Sequence, residues 1–310
     1  YIYIAIRRGP MAVPENADDV FDVAARTGAS GNQGAYRSGF TVDMAFHKVV
    51  NSSINPYEIG SRLTQGKSMK TNANDSESTT SDQQYDYMDG WNSETSAAST
   101  KYAWMWKRAP NYFDVVAYTG DGTGVRTIDH NLGVAPEMMW IKGRNATMSW
   151  IVYHAGLGND YVMRLEQTSA ATSGSSLYWN GTDPTDSVWT INSNLNTSGR
   201  NYIAYLFASL DGVSKVGSYT GNGGTQNIDC GFSSGARFVL IKRSNDTGDW
   251  WLYDTERGIV AGDDTRIRLN TTDGQDTDYD SIDPYSSGFT VLQETATHLN
   301  YNGGEYIFYA

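Results

Sequence analysis

The sequence predicts an all-β protein built as three tandem antiparallel β-sandwich modules, jelly-roll-like, of about 100 residues each. Three observations carry this. A strand-like phrase returns four times, as Tyr1-Ile-Tyr-Ile-Ala-Ile, Tyr102-Ala-Trp-Met-Trp, Tyr202-Ile-Ala-Tyr-Leu-Phe-Ala and Tyr306-Ile-Phe-Tyr-Ala. Its period exceeds the ~20–50 residues of a solenoid turn and has the size of a small domain. Between the phrases, short apolar runs bounded by Gly, Asn, Asp and Ser recur at the ~8–12-residue spacing of sandwich strands, and no segment carries an extended 3.6-residue apolar stripe.

Taken in order, residues 1–6 read as the closing strand of a preceding module. Residues 7–19, with Gly9-Pro10 and Pro14, read as a linker. The first module spans 20–108, a divergent copy; the second spans 113–208 and the third 214–310. The second and third align at an offset of 100. Met139-Trp-Ile-Lys142 matches Val239-Leu-Ile-Lys242, and Asn145, Thr147, Trp150 and Tyr153 match Asn245, Thr247, Trp250 and Tyr253. In the first, Phe21-Asp-Val-Ala-Ala echoes Phe113-Asp-Val-Val-Ala, and Lys48 falls where Lys142 does. The run at 202–208 is continuously apolar, as in a strand covered on both faces. Residues 155–158 and 256–260 are compatible with single helical turns. The joints at 107–111 and 209–213 are short, which predicts a rod. Residues 71–84 lack large apolar side chains and read as a loose loop.

The formal charge is −12 with a sequence pI near 4.7, which argues against phosphate-backbone partners and anionic lipid. A single cysteine, Cys230, excludes an intrachain disulfide framework. No stretch approaches the ~20 apolar residues of a membrane helix.

Catalytic and metal chemistry have little to stand on. His47, His130, His154 and His298 show no metal-ligand spacing. His130 and His154 align with Cys230 and Asp254, which fits surface or turn roles. Glycine-rich 120–124 and 221–224 lack the Lys-Ser/Thr of a phosphate loop and read as hairpin turns. No carboxylate pair stands out for glycoside hydrolysis. Asp276, Asp278 and Asp280 alternate as oxygen ligands for Ca²⁺ would, without the Gly and Glu of a helix-flanked calcium loop; a solvated strand face explains them as well. No other cofactor is expected.

Lys101-Tyr-Ala-Trp-Met-Trp-Lys-Arg-Ala-Pro110, His130-Asn-Leu-Gly-Val-Ala-Pro-Glu137 and Asp229-Cys-Gly-Phe-Ser-Ser-Gly-Ala-Arg-Phe-Val-Leu-Ile-Lys-Arg243 resemble a tandem β-module family of tail-fibre and other virion structural proteins in tailed bacteriophages, many of them marine. The resemblance covers essentially the whole chain and brings no catalytic residues. It implies a non-enzymatic protein of the virion surface, a segment of a tail fibre or appendage. Its partners would be copies of itself, other virion proteins and a host-surface glycan or protein. A ligand-free decoration or shaft protein and a bacterial adhesin are the alternatives. For sugar contacts the candidates are Asn145, Trp150, Asn245, Trp250 and Trp251, with the tryptophan rings stacking on sugar faces, although Trp150 and Trp250 read first as core residues. Trp251, adjacent to Trp250 on its strand, is the one expected to point outward.

Overall fold

The structure, a computed structural model, describes residues 11–26, 34–64, 66–79, 83–93, 101–174, 176–293 and 299–310, and it is nearly all β. The expected strand at 1–6 and the start of the linker lie outside the described residues, as does His298.

Among the described residues, three six-stranded antiparallel sheets follow one another along the chain. The first contains β1 (Phe21–Ala25), β2 (Met44–Val49), β3 (Glu58–Ser61), β4 (Lys67–Lys70), β5 (Ser78–Thr79) and β6 (Lys101–Trp106). The second contains β7 (Phe113–Thr119), β9 (Met138–Gly143), β10 (Ile151–His154), β11 (Tyr161–Arg164), β12 (Thr172–Ser173) and β14 (Asn201–Phe207), with β8 (Arg126–Asp129) and β13 (Val188–Ile191) forming a separate pair. The third contains β15 (Val216–Thr220), β17 (Phe238–Arg243), β18 (Trp250–Asp254), β19 (Asp264–Arg268), β20 (Asp276–Tyr279) and β23 (Glu305–Tyr309). Beside it, β16 (Gln226–Asp229), β22 (Gly288–Val291) and β21 (Ile282–Tyr285) form a small sheet. Strand order is the same in all three large sheets: β1-β6-β2-β3-β4-β5, β7-β14-β9-β10-β11-β12 and β15-β23-β17-β18-β19-β20. The last strand of each segment is central, which explains its two apolar faces.

Side chains alternate across each large sheet with period two. From β14, Tyr202, Ala204 and Leu206 pack outward against the β8–β13 layer, while Ile203, Tyr205 and Phe207 face inward. From β18, Trp251 and Tyr253 pack outward and Trp250 and Leu252 inward. From β6, Ala103 and Met105 pack outward, and Trp104 and Trp106 inward. The inward sets of all three sheets join in one apolar cluster.

A rod was expected, and a closed ring is found. Each sheet covers only its outer face with its own segment. On the second sheet the inner face carries Trp140, Trp150, Tyr205 and Phe207, all buried. At ~150–250 Å² per ring and ~25 cal/mol per Å², exposing these four rings would forgo ~15–25 kcal/mol of gross burial. The three inner faces therefore pack on one another.

One joint recurs head to tail, and the ring closes as a heterologous interface does when its rotation returns on itself. Lys142 Nζ donates to the Asn74 and Asp75 carbonyls at 3.1 and 2.7 Å, Lys242 Nζ to that of Thr168 at 3.0 Å, and Lys48 Nζ to that of Thr272 at 3.0 Å. Backbone N–H groups of Glu77, Ala171 and Gln275 donate to the carbonyls of Arg144, Ser244 and Val50 at 2.7–2.8 Å. Trp150 Nε1 donates to Lys70 O at 2.8 Å and Trp250 Nε1 to Arg164 O at 3.1 Å. The first sheet holds Tyr57 at that place, buried against Trp104.

Two further expectations change. Residues 71–79 are a clasp, not a loose loop: Thr71 Oγ1 donates to Leu269 O at 2.7 Å, and Glu77 binds Lys67 and Arg144, each at 2.7 Å. The recurrent tyrosines are also not all equivalent. Tyr202 pairs with Gly143 and Tyr306 with Arg243, but Tyr102 pairs with Lys48, one position along. A one-residue slip reverses the face, so Tyr102 packs against the shared inner cluster whereas Tyr202 packs outward. Residues 155–157 and 255–257 are turns, and the one α-helical turn among the described residues is Ser176–Trp179.

Candidate functional site

The candidate tryptophans do not form a sugar platform. Trp150, Trp250 and Trp251 are 0%, 2% and 8% exposed. The first two serve the joints. Trp251 faces its own sheet's outer layer, with the Arg266 and Arg268 guanidinium groups over its ring at 4.4 and 5.3 Å. Alternation did separate Trp251 from Trp250, but the second layer covers the outward side too.

Asn145 and Asn245 are exposed, and their amides brace the neighbouring turns. Asn145 Nδ2 donates to Gly199 O and its Oδ1 accepts from Asn201 N; Asn245 repeats this with Gly303 O and Glu305 N. The calcium candidates do not converge. Asp276 lies 3.7 Å from Arg266 and 3.6 Å from Arg268, while Asp278 accepts from Thr277 Oγ1. Among the described residues no group of three His, Cys, Asp or Glu side chains is placed to hold a metal ion.

His47, His130 and His154 are buried, not at the surface. His154 accepts from Gly156 N at Nδ1 and lies 3.3 Å from Phe308 O through Nε2. Burial pushes it down to about 4. His130 uses the same pair of contacts, with Leu132 N and Thr185 O, and burial lowers it too. Cys230 is buried, its thiol pushed up to about 12.

Sequence reasoning missed how the loops at one end of the second and third sheets are braced. Tyr118 stacks on Tyr202 and Tyr219 on Tyr306, both with centroids 4.8 Å apart. Tyr118 Oη donates to Leu195 O and Tyr219 Oη to Leu299 O, and the hydroxyls of Tyr202 and Tyr306 accept from Thr197 N and Tyr301 N. Asn196 ties Asp121 to Gly124 O; Asn300 ties Asn222 to Gly224 O. The repeated phrase, Tyr118-Thr-Gly-Asp-Gly122 and Tyr219-Thr-Gly-Asn-Gly223, was the signal. Its tyrosine meets the one that opens the last strand.

Beside each braced loop lies an open concavity. On the third sheet it measures about 410 Å³ and is lined by Arg243, Asp246, Thr247, Tyr301 and Asn302. Tyr301 is 42% exposed there, with Arg243 over its ring at 5.1 Å and Asp246 3.3 Å from that arginine. On the second sheet it measures about 250 Å³, between Met148, Tyr178, Arg164 and Arg200. At the other end of the strands a smaller apolar crevice lies among Phe21, Tyr112, Phe238 and Tyr309. Arg237 at its edge is taken by Asp18 and Asp22.

The chain belongs to the family described as a domain of unknown function, DUF7483, which matches residues 16–310. No curated protein and no solved structure gives a significant match.

Proposed function

We propose that this chain is a non-enzymatic segment of a bacteriophage tail fibre or appendage, at the virion surface, that attaches to a host-surface glycan. The observation that carries the attachment reading is the third-sheet concavity. Tyr301 offers an exposed aromatic face, and Asp246, Thr247 and Asn302 surround it with the groups that bond sugar hydroxyls. Its loops are braced on a closed ring, so little ordering is left to do on binding. The virion setting is supported by the phrases quoted above. The test is binding of the labelled chain to bacterial cells and to a glycan array, with Tyr301→Ala beside the wild type. Wild-type binding that the variant loses upholds the reading, and equal binding by both removes this concavity from it.

The ligand-free decoration or shaft reading has one observation in its favour. The ring closes through its own joints, leaving a self-sufficient block. Antibody against the chain that decorates virions without slowing adsorption would favour that reading.

A further inference from the structure

Resting on the glycan reading, we infer that the second-sheet concavity binds the carboxylate of an acidic sugar between Arg164 and Arg200. Both arginines are half-buried and line the same hollow. Neither forms an ion pair among the described residues. In a chain of net charge −12, two arginines facing one concavity without a carboxylate between them are conspicuous.

The third sheet supplies an internal comparison. Strand register places Arg164 opposite Ile151 and Arg268 opposite Trp251, so the two arginines occupy the same place. Arg268 is neutralised by Asp249, Asp273 and Asp276 at 4.0, 3.4 and 3.6 Å. The corresponding residues of the second sheet are Ser149, Ser169 and Thr172, in register through the Trp150/Trp250 and Ala171/Gln275 equivalences. All three acids have become hydroxyl residues. In the first sheet Lys70 takes this place, and Asp75 lies 3.8 Å from it. Arg200 stands where the third sheet has Gly304, which adds a second cation. Glu166, two residues beyond Arg164, accepts from Trp150 N at 3.1 Å. Its charge acts on Lys142.

Two guanidinium groups suit a carboxylate, which they can grip with paired charge-assisted hydrogen bonds. Ser149, Asn194 and Thr197 add neutral donors and acceptors, and Tyr178 and Met148 add an apolar wall. That mixture fits a hydroxyl-bearing anion better than a bare one. The open hollow of about 250 Å³ lies just below the ~300–1,000 Å³ of most small-molecule sites, which favours a single sugar ring.

The test is calorimetric titration of the whole chain at low salt with galacturonate and glucuronate oligomers, their neutral methyl esters and inorganic phosphate. The variants are Arg164→Gln, Arg200→Gln and Ser149→Asp; the last keeps both arginines and sets beside Arg164 the acid that Asp249 provides for Arg268 in the third sheet. The expected result is uronate binding that each variant weakens roughly tenfold or more, with little binding of the esters. No uronate binding, equal binding of the esters, tighter binding of phosphate, or indifference to all three substitutions would overturn the inference. Uronate binding that depends on Arg164 without cell attachment would leave this site standing and sink the adhesive reading. Cell attachment by a chain that binds no uronate would do the reverse.

Discussion

The imidazole of His154 on β10 meets the carbonyl oxygen of Phe308 on β23 at 3.3 Å, joining the second sheet to the third. Its other nitrogen accepts from Gly156 N at 3.1 Å, so the neutral ring with its proton on Nε2 satisfies both contacts. The equivalent place on the third sheet is Asp254, which accepts from Trp104 Nε1 of the first sheet at 3.0 Å. One position thus serves two joints with different chemistry.

Burial holds His154 at about 4, against an ordinary 6.5. As pH falls from 6.5 towards 4, the unfolded chain takes up a proton that the folded chain refuses, so stability falls across that window. His47, pushed to about 3 by burial and by Lys101, acts in the same direction. Asp22 and Asp264, both raised to about 6 by burial, act oppositely: folding holds their protons, so they add stability as pH falls from about 6. The difference between wild type and His154→Gln isolates the first effect. Denaturant titrations should show the variant losing less stability between pH 6.5 and 4, by roughly 3 kcal/mol at most. Parallel curves would mean that the joint tolerates imidazolium.

The shared core makes a second claim testable. Residues 214–310 expressed alone would leave Phe238, Leu240, Trp250 and Leu252 without their partners from the other sheets. The fragment should bind a hydrophobic dye and lack sharp side-chain NMR dispersion, and the whole chain should unfold in one transition. A monomeric, well-dispersed fragment would mean that each sheet is stable on its outer layer alone.

Much of the fold was legible in the sequence because alternation writes itself into adjacent residues. Tyr202 to Phe207 reads as doubly covered, and it is. The lysines ending Met139-Trp-Ile-Lys142 and Val239-Leu-Ile-Lys242 were visible as a repeat, but their partners were not. A buried ammonium that bonds the carbonyl of Asn74 or Thr168 leaves no trace in the composition around either residue. The ring was hidden for a related reason. Short joints such as 107–111 constrain neighbouring segments without stating which face each turns inward. Trp150 and Trp250 are the core residues that the sequence favoured, whereas Trp251 was misjudged because a covered aromatic and a displayed one look alike in one sequence. The Arg164 hollow is different: its signal, three acids replaced by Ser149, Ser169 and Thr172, appears only once strand register aligns the segments with their four-residue slip.

Calcium offers a simple check on the acidic run. With Asp276 already beside Arg266 and Arg268, a cation must displace two guanidinium groups to reach it. Millimolar Ca²⁺ or EDTA should therefore leave Tm unchanged. A rise in Tm that saturates with Ca²⁺ would show that the run rearranges around the ion.

Trp251→Ala separates packing from recognition. The ring is enclosed by the outer layer and the guanidinium groups of Arg266 and Arg268, so its loss should cost about 3–5 kcal/mol in denaturant titration. Any glycan binding measured under folded conditions should persist. Lost binding with unchanged stability would return this residue to the ligand site.

Lys142 tests whether the joints are held by charge or by hydrogen bonding alone. Its Nζ donates to Asn74 O, Asp75 O and Gly143 O at 3.1, 2.7 and 3.3 Å, and burial pushes it down to about 8. Lys142→Met keeps the stem and strands those carbonyls, which should cost about 1–3 kcal/mol at pH 7. Between pH 8 and 10.5 the unfolded chain still holds the lysine proton that the folded chain has released, so this group's contribution rises with pH. The variant lacks that gain, and the tyrosines, common to both proteins, cancel in the difference. The stability gap between wild type and Lys142→Met should therefore widen from pH 8 to pH 10. A narrowing gap would mean that the ammonium itself, through its charge on these carbonyls, holds the second sheet to the first.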